Sequence, residues 1–377
     1  MTIFLRALAI LVTTIIGVGI FGLPFVAAKA GFGLILIYVI ILGIVAVYSH
    51  LMFAKICVKT PGKHRFPGYV RIYLGENASR IAMVSLCIGM FGAQMAYLIV
   101  GGQFLTNLLI PYLSPFLGTN PLVYTFIYFI IGALLIYKGV KGISIVEFFI
   151  AILFCIILVL FLIKLLPSVN LHNLSLVNTK SIFLPYGIVL FSLWGSSIIP
   201  EIKEMVGANK KKILNKIIIF GLVWAAVWYL LFTAAVVGFC GKSTSSDAFS
   251  CLSDRLGPGI SRMGYLLGTI TCFSSFLVLG LTIKKSLIYD YRWSEKVSWA
   301  FATILPFLLY LSGFKNYIDI IGLTGAVTIG IEGILMFMVF KKVVKTKSSK
   351  KVPLLYYVLP LFLLAGVFLE VFNFFNK

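Results

Sequence analysis

The sequence predicts an all-α polytopic membrane protein with about eleven transmembrane helices, and two observations lead to this class. Of the 377 residues, 61% are hydrophobic and 11% are charged, a composition that soluble globular domains do not show. The hydrophobic residues are gathered into runs of about the 20 residues that an α-helix needs to cross a bilayer. These predicted spans, numbered 1 to 11, are residues 5–28, 32–56, 80–110, 121–138, 142–166, 183–203, 213–240, 260–290, 297–314, 317–341 and 353–375.

The charged residues predict the orientation of the chain in the membrane. A net charge of +21 would suit a nucleic-acid partner, but the Lys and Arg residues lie between the apolar runs, where they act as topology determinants. With the N-terminus inside, about three-quarters of the 32 basic residues fall on one side. The sequence therefore predicts a multi-pass cell-membrane protein with a cytoplasmic N-terminus and an outer C-terminus. Its predicted surroundings are the lipid bilayer, with no nucleic acid.

Span 1 carries helix-breaking residues at its centre. From Thr13 to Pro24 it reads T-T-I-I-G-V-G-I-F-G-L-P, and glycine and proline are poor helix formers. A helix interrupted at membrane depth leaves N–H and C=O groups without partners, which hydrocarbon tolerates only if the break is buried or lines a cavity. The interruption therefore predicts a binding site. The alternative is that the glycines only allow another helix to pack closely.

Span 6 is interrupted in the same way, because Phe191–Glu201 reads F-S-L-W-G-S-S-I-I-P-E. One transporter domain over residues 1–377 would contain repeat one (about 5–166), repeat two (about 183–341) and an extra helix (about 353–375). Since each repeat has five spans, the two repeats have opposite orientations. Paired broken helices at matching positions of two inverted repeats indicate the binding site of a transporter.

The interrupted helices offer both kinds of group that a zwitterionic amino acid needs. Free N–H groups at one half-helix would bind the substrate carboxylate, and free C=O groups at the other would bind its ammonium. The carboxylate is assigned to the first interruption and the ammonium to the second. The predicted substrate-binding backbone comprises Gly17, Val18, Gly19, Phe191, Ser192, Trp194 and Gly195.

Several stretches are similar to those of a known transporter group. G-V-G-I-F-G-L-P-F-V-A-A-K-A-G-F (Gly17–Phe32) resembles the first helix of the amino acid/auxin permeases and the hydroxy/aromatic amino acid permeases. The other similar stretches are Gly92–Tyr97 in span 3, Ser192–Glu201 in span 6, Ser274–Leu277 and Tyr289–Tyr291 in span 8, and Gly322–Glu332 in span 10. The resemblance implies the 5+5 inverted-repeat fold of the amino acid–polyamine–organocation superfamily, with helices 1 and 6 broken. It also implies amino acid transport coupled to a proton or sodium gradient.

The same resemblance implies a cation site between spans 1 and 8. Carried over, Thr13 and Ile16 offer carbonyl oxygens, Thr271 a carbonyl, and Ser274 and Ser275 hydroxyls. An oxygen-only set suits a hard cation such as Na+. The alternative is that the two serines bond back to their own helix. Some proton-coupled relatives place a lysine from helix 5 in this site, but the middle of span 5 has none. No other cofactor or metal is expected.

Ionisable residues inside a membrane are functional candidates because burial of a charge is costly. Glu332 in span 10 is the first choice for a proton-linked carboxyl group, with Glu147 in span 5 as the second, and a structural role for Glu332 is equally open. His50, His64 and His172 fall at span ends or in loops by this reading. A central histidine relay is therefore not expected.

Four aromatic or amide side chains complete the predicted substrate site. Gln94 and Tyr97 on span 3 are predicted to face it, with Tyr97 closing over the carboxylate. Phe21 and Trp194 are predicted to act as gates or to pack against an aromatic substrate. Since 15% of the chain is aromatic, each of these side chains has plain packing as its alternative.

The function predicted from these features is secondary active transport of neutral or aromatic amino acids by cation-coupled symport and alternating access. The alternative is a non-transporting membrane amino acid sensor on the same fold. No catalytic triad, metal cluster or phosphate loop is visible, so no enzyme is predicted. The sequence leaves open the amino acid, the coupling ion, import versus exchange, the oligomeric state, and whether Cys240 and Cys251 form a disulfide.

Overall fold

The computed structural model describes residues 2–139, 143–207, 210–252, 257–347 and 355–375, and the regular structure in these ranges is helical, with no strand. The first part of the chain contains α1 (Ile3–Ile15), α2 (Gly19–Ala30), α3 (Phe32–Lys59), α4 (Phe66–Leu74), α5 (Glu76–Leu117), α6 (Pro121–Lys138) and α7 (Ile143–Leu165). The rest of the chain contains α8 (Pro185–Ser192), α9 (Ile199–Val206), α10 (Lys211–Cys240), α11 (Pro258–Tyr291), α12 (Glu295–Leu311), α13 (Tyr317–Lys347) and α14 (Leu355–Phe375).

Each predicted span corresponds to one helix or to one pair of helices. Among the described residues, seven helices are long and apolar enough to cross a membrane, and the pair α1–α2, bent by 47°, brings the number to eight. The remaining three spans contain shorter helices: span 6 is divided into α8 and α9, α12 has 17 residues, and the apolar part of α14 is Tyr357–Val371. The first residues of spans 5 and 11 lie outside the described ranges.

The helices expose apolar faces of the kind that lipid solvates. On α3 the exposed side chains include Leu36, Ile37, Ile40 and Ile44, whereas Leu42 on the opposite face is fully buried. Because lipid tails are as apolar as leucine, such a stripe is stable in a bilayer. In water a contiguous apolar surface would favour association. The outer surface therefore fits a multi-pass membrane protein.

The two broken spans lie inside the bundle, in contact with long helices of both repeats. Helix α1 packs against α7 and α10, and α2 against α8 and α10, while α8 also packs against α13. The α8–α13 approach is very close: a Cβ atom at Gly187 would lie 2.2 Å from the carbonyl oxygen of Gly322. Small residues allow such backbone approach between membrane helices.

The segment between α3 and α5 is folded and partly buried. Arg65, just before α4, is 1% exposed and forms ion pairs of 2.8 Å with Glu201 and 3.0 Å with Glu204 on α9. Its backbone N–H donates to the Asp290 carboxylate of α11 at 3.1 Å. The prediction missed this network because its members are far apart in sequence.

Cys240 and Cys251, whose pairing the sequence left open, are joined by a disulfide in the structure, with Cα atoms 6.2 Å apart. The bond closes the short segment that follows α10, on the side of the molecule toward which α2 points. Phe249 in this segment is fully buried. The disulfide therefore holds Phe249 against the helices that it covers.

Candidate functional site

The two helix interruptions contact each other at the centre of the bundle. Helix α1 ends at Ile15 and α2 begins at Gly19, while α8 ends at Ser192 and α9 begins at Ile199 after a single 3-10 turn. A Cβ atom at Gly19 would lie 2.2 Å from the Ser192 Oγ. The Cβ-free backbone of Gly19 therefore allows the two interruptions to meet.

Tyr229 on α10, which the sequence analysis did not single out, satisfies backbone groups at both interruptions. Its hydroxyl lies 2.7 Å from the carbonyl oxygen of Ile15 and 2.8 Å from that of Ser192. These are helix-terminal carbonyls, which have no partner inside their own helices. A fully buried tyrosine thus links the end of α1 to the end of α8.

His50 was predicted to lie at a span end, and this was wrong. It is fully buried in α3, and its Nε2 accepts a 3.0 Å hydrogen bond from the N–H of Gly195. Its Nδ1 lies 2.7 Å from the carbonyl oxygen of Ala46, so the proton resides on Nδ1 when Nε2 accepts. The ring also contacts Trp194 edge-on, with centroids 5.2 Å apart. His50 therefore positions the second interruption.

We expect Tyr229→Phe to lower thermal stability and uptake together, because the Ser192 carbonyl loses its donor and the Ile15 carbonyl keeps only the N–H of Gly17. An unsatisfied buried polar group costs about 1–3 kcal/mol. Tyr128→Phe is the matched control: Tyr128 is also fully buried, but its hydroxyl has no hydrogen-bond partner among the residues that the structure describes. Thermal unfolding in detergent and uptake in proteoliposomes would be measured for both variants. Equal effects of the two substitutions would contradict the role given to Tyr229.

A cavity of about 70 Å³ lies beside the junction of the interruptions. It is lined from α1, α5, α11, α13 and the interruption of span 6. Four of the predicted site residues are among its walls: Tyr97, Phe191, Trp194 and Glu332. The walls of the cavity thus combine aromatic rings, threonine and serine side chains and one carboxyl group.

Several predicted backbone groups already have partners inside the protein. The N–H of Gly17 donates to the carbonyl of Ile15 at 2.9 Å, and the carbonyl of Phe191 accepts from the N–H of Trp194 at 3.1 Å. A Cβ atom at Gly17 would lie 2.6 Å from the Tyr97 hydroxyl, so Tyr97 covers the first interruption, where the sequence placed it. Val18, which lies between Gly17 and Gly19 in the sequence, is fully buried.

Gln94 and Phe21 lie away from this cavity. With its amide oriented to satisfy both partners, Gln94 donates to the carbonyl of Ala302 and accepts from the N–H of Gly280, each at 3.0 Å. Phe21 packs in an aromatic cluster, with centroids 5.1 Å from Phe104. The cluster also contains Phe232 and Phe249. This aromatic cluster fills the space on the α2 side of the first interruption.

The residues of the predicted cation site converge on a second, very small cavity. Thr13, Ile16, Thr271 and Ser274 line this space of about 10 Å³. The Ser275 hydroxyl donates to the Thr13 carbonyl at 3.2 Å. Ser274 and Ser275 thus bond to other elements, and the alternative that both bond back to their own helix was wrong. The Thr271 hydroxyl does bond back, to Leu267 at 2.7 Å.

Glu147 of α7 joins this cluster, which the sequence did not predict. The Ser274 hydroxyl donates to its Oε2 at 2.5 Å, and the Thr13 hydroxyl contacts the same carboxyl group. Glu147 is 1% exposed. It also lines a cavity of about 340 Å³ toward the inner ends of the helices, together with Glu201 and Lys285.

The oxygen cluster and the larger cavity meet at Gly17. A Cβ atom at Gly17 would lie 2.6 Å from the Tyr97 hydroxyl, on the cavity side, and 3.2 Å from the Ser275 hydroxyl, which in turn donates to the Thr13 carbonyl. The two groups of residues are therefore neighbours.

Broken helices that meet at buried polar cavities within an inverted-repeat bundle define a membrane transporter. The particular kind follows from the sequence as a whole. The chain belongs to the tryptophan/tyrosine permease family, whose model matches residues 1–373. This family is part of the amino acid–polyamine–organocation superfamily, as the resemblance implied, and membership supports transport over the sensor alternative. No curated protein matches the chain.

Two solved structures have the same fold at low sequence identity. One is Mhp1, a nucleobase-cation-symport-1 family transporter in a closed conformation with bromovinylhydantoin bound: TM-score 0.71, 15% identity, covering 88% of this chain and 77% of that one. The other is MhsT in complex with L-phenylalanine: TM-score 0.69, 14% identity, covering 98% of each chain. They confirm the predicted fold class of an inverted-repeat transporter.

Proposed function

We propose that this chain carries tryptophan and tyrosine across the cell membrane in symport with a cation. The observation that carries the proposal is the direct contact of the two helix interruptions beside a cavity lined by Tyr97, Phe191 and Trp194. Membership of the tryptophan/tyrosine permease family supports an aromatic amino acid as the substrate. So does the L-phenylalanine bound in the similar MhsT structure.

The substrate backbone would bind at the junction of the two interruptions. N–H groups at the start of α2 carry the positive end of a helix dipole and suit the carboxylate. Carbonyls around Ser192 and Trp194 suit the ammonium. The Ser192 carbonyl accepts a hydrogen bond from the Tyr229 hydroxyl. The substrate ammonium would therefore compete with this hydroxyl or bind to neighbouring carbonyls. The ring would then extend between α5 and α13.

The coupling cation would bind at the oxygen cluster around Glu147. Hydroxyls and carbonyls of Thr13, Ser274 and Ser275, with a carboxyl group, form an oxygen-only set that fits Na+. The Glu147 carboxyl group alone would serve for H+. Tyr97 and Ser275, whose hydroxyls both lie beside Gly17, would connect the cation site to the substrate site. This contact provides a physical path for coupling.

Alternating access would move spans 1, 2, 6 and 7 against spans 3, 4, 8 and 9, by analogy to the fold. The ion pairs of Arg65 with Glu201 and Glu204 on α9, and its bond to Asp290 on α11, join a moving helix to a static one. They would have to separate when the inner side opens. The N-terminus would lie in the cytoplasm.

The test is uptake of labelled tryptophan, tyrosine and leucine into proteoliposomes, with a sodium gradient or a pH gradient imposed separately. We expect tryptophan and tyrosine to accumulate under one gradient and leucine to accumulate less. Sodium-driven uptake would place Na+ at the Glu147 cluster, and proton-driven uptake would place H+ there. Binding of an aromatic amino acid without flux under either gradient would contradict the proposal and would support the alternative of a non-transporting sensor.

A further inference from the structure

The substrate cavity already holds an indole group that belongs to the protein. The Nε1–H of Trp194 donates a 3.2 Å hydrogen bond to Oε2 of Glu332, and both residues line the cavity. Glu332 is 8% exposed. The other oxygen of its carboxyl group accepts no hydrogen bond from the part of the chain that the structure describes. Trp194 therefore shows how an indole fits against Glu332.

Trp194 lies in a segment that can reorient without unwinding a helix. It follows the end of α8 at Ser192 and precedes the 3-10 turn that begins at Ser196. The flanking Leu193 and Gly195 have φ,ψ angles of −90°, 2° and −134°, 24°, which are not those of a regular helix. The Trp194 side chain is half-buried. Its indole can therefore leave Glu332 with a local change.

The other polar side chains on the α13 wall are less suited to receive a ring donor. The hydroxyl of Thr324 donates to the carbonyl of Ile320, and that of Thr328 to the carbonyl of Thr324, each at 2.6 Å. Glu332 supplies a carboxyl group to the cavity wall, and among the described residues none of those that line the cavity is basic. A carboxyl oxygen is a strong acceptor for N–H and O–H donors.

We propose that Glu332 selects substrates by accepting a hydrogen bond from the side-chain donor, the indole N–H of tryptophan or the phenol O–H of tyrosine. Trp194 occupies this position in the structure and yields it when the substrate enters. The inference rests on the proposed function, since it specifies which aromatic amino acids that site prefers. It makes Glu332 a specificity-determining residue and separates its role from that of Glu147.

This arrangement predicts a moderate preference. A site with a rigid, buried acceptor rejects an analogue that lacks the donor very strongly, because the acceptor is left unpaired. Here Trp194 can return to Glu332 when the substrate brings no donor. The preference for a donor-bearing ring over its donor-free analogue should then be on the order of tenfold, the value of one net hydrogen bond.

The experiment compares four ligands in the purified full-length protein: tryptophan, 1-methyltryptophan, tyrosine and phenylalanine. Equilibrium binding is measured by competition with labelled tryptophan, and flux is measured separately in proteoliposomes. We expect tryptophan to bind on the order of tenfold more tightly than 1-methyltryptophan. Tyrosine should likewise bind more tightly than phenylalanine. In Glu332→Leu both preferences should disappear while phenylalanine binding persists, which also shows that the variant is folded.

Two further variants keep the test falsifiable. Glu332→Gln retains a carbonyl oxygen and should keep part of the preference. Trp194→Phe removes the internal donor and should increase the preference beyond about tenfold, because a donor-free ligand then leaves Glu332 unpaired. Equal binding of tryptophan and 1-methyltryptophan to the wild type would overturn the inference. So would an equal loss of all four ligands in Glu332→Leu, which would assign Glu332 to the shared ammonium. Loss of the preference in Trp194→Phe would assign the selection to Trp194. Selective binding without flux would uphold the inference and contradict transport.

Discussion

Gly19→Ala is expected to reduce uptake at least tenfold while the protein still inserts into the membrane. The added Cβ atom would lie 2.2 Å from the Ser192 Oγ and 3.0 Å from the Ser192 Cα. Overpacking of a buried contact costs about 1–3 kcal/mol, and 1.4 kcal/mol corresponds to a factor of ten in binding. Gly19 is not among the glycines with a positive φ angle, so alanine is allowed by its backbone. The expected loss therefore arises from the contact alone.

The chain offers a matched control and a compensating change for this substitution. A Cβ atom at Gly43 in α3 would have, apart from its chain neighbours and its own helix backbone, no described atom within 4 Å. Gly43→Ala should therefore leave uptake unchanged and slightly favour the helix. Adding Ser192→Gly to Gly19→Ala removes the Ser192 Oγ and Cβ atoms and should restore part of the uptake. Full uptake by Gly19→Ala, or no recovery in the double variant, would show that this contact does not shape the site.

The parts of the site that follow from local sequence could be predicted. Glycine at positions 17 and 19 and the run Trp194–Gly195–Ser196 disfavour a continuous helix regardless of their surroundings, so both interruptions are visible in the sequence. Hydropathy likewise marks the spans, because each must satisfy its own backbone in lipid. The resemblance added the oxygen cluster around Thr13 and Ser274, which the structure brings together.

The residues that tertiary contacts recruit could not be predicted. His50 and Tyr229 are ordinary members of apolar helices in the sequence, and their roles arise because α3 and α10 pack against the interruptions. Arg65 reads as one more inner basic residue, yet it is buried between two acidic side chains. Conversely, Gln94 shares a helix with Tyr97 but points to α11 and α12. Span position alone does not give the direction of a side chain.

Glu147→Gln is expected to abolish accumulation of substrate against its gradient while exchange of substrate across the membrane persists. Glutamine has nearly the size of glutamate and keeps an oxygen that can accept from Ser274, whose hydroxyl lies 2.5 Å from the carboxyl group. It carries neither a titratable proton nor a negative charge. It would therefore hold no proton, and it would bind Na+ more weakly at the cluster of Thr13, Ser274 and Ser275. The substrate cavity, with Tyr97 and Trp194, would remain intact.

Glu370→Gln is the control. Glu370 is also a glutamate of an apolar helix, α14, but its side chain lines neither the oxygen cluster nor the substrate cavity. Gradient-driven uptake and counterflow of labelled tryptophan would be measured for the wild type and both variants. Retained accumulation in Glu147→Gln would exclude Glu147 as the coupling group. Loss of counterflow as well would indicate that Glu147 holds α7 against α1 and α11 through its hydrogen bonds. Loss of accumulation with intact counterflow would separate the coupling site from the substrate site. This is the result expected if the contact between Tyr97 and Ser275 connects the two sites.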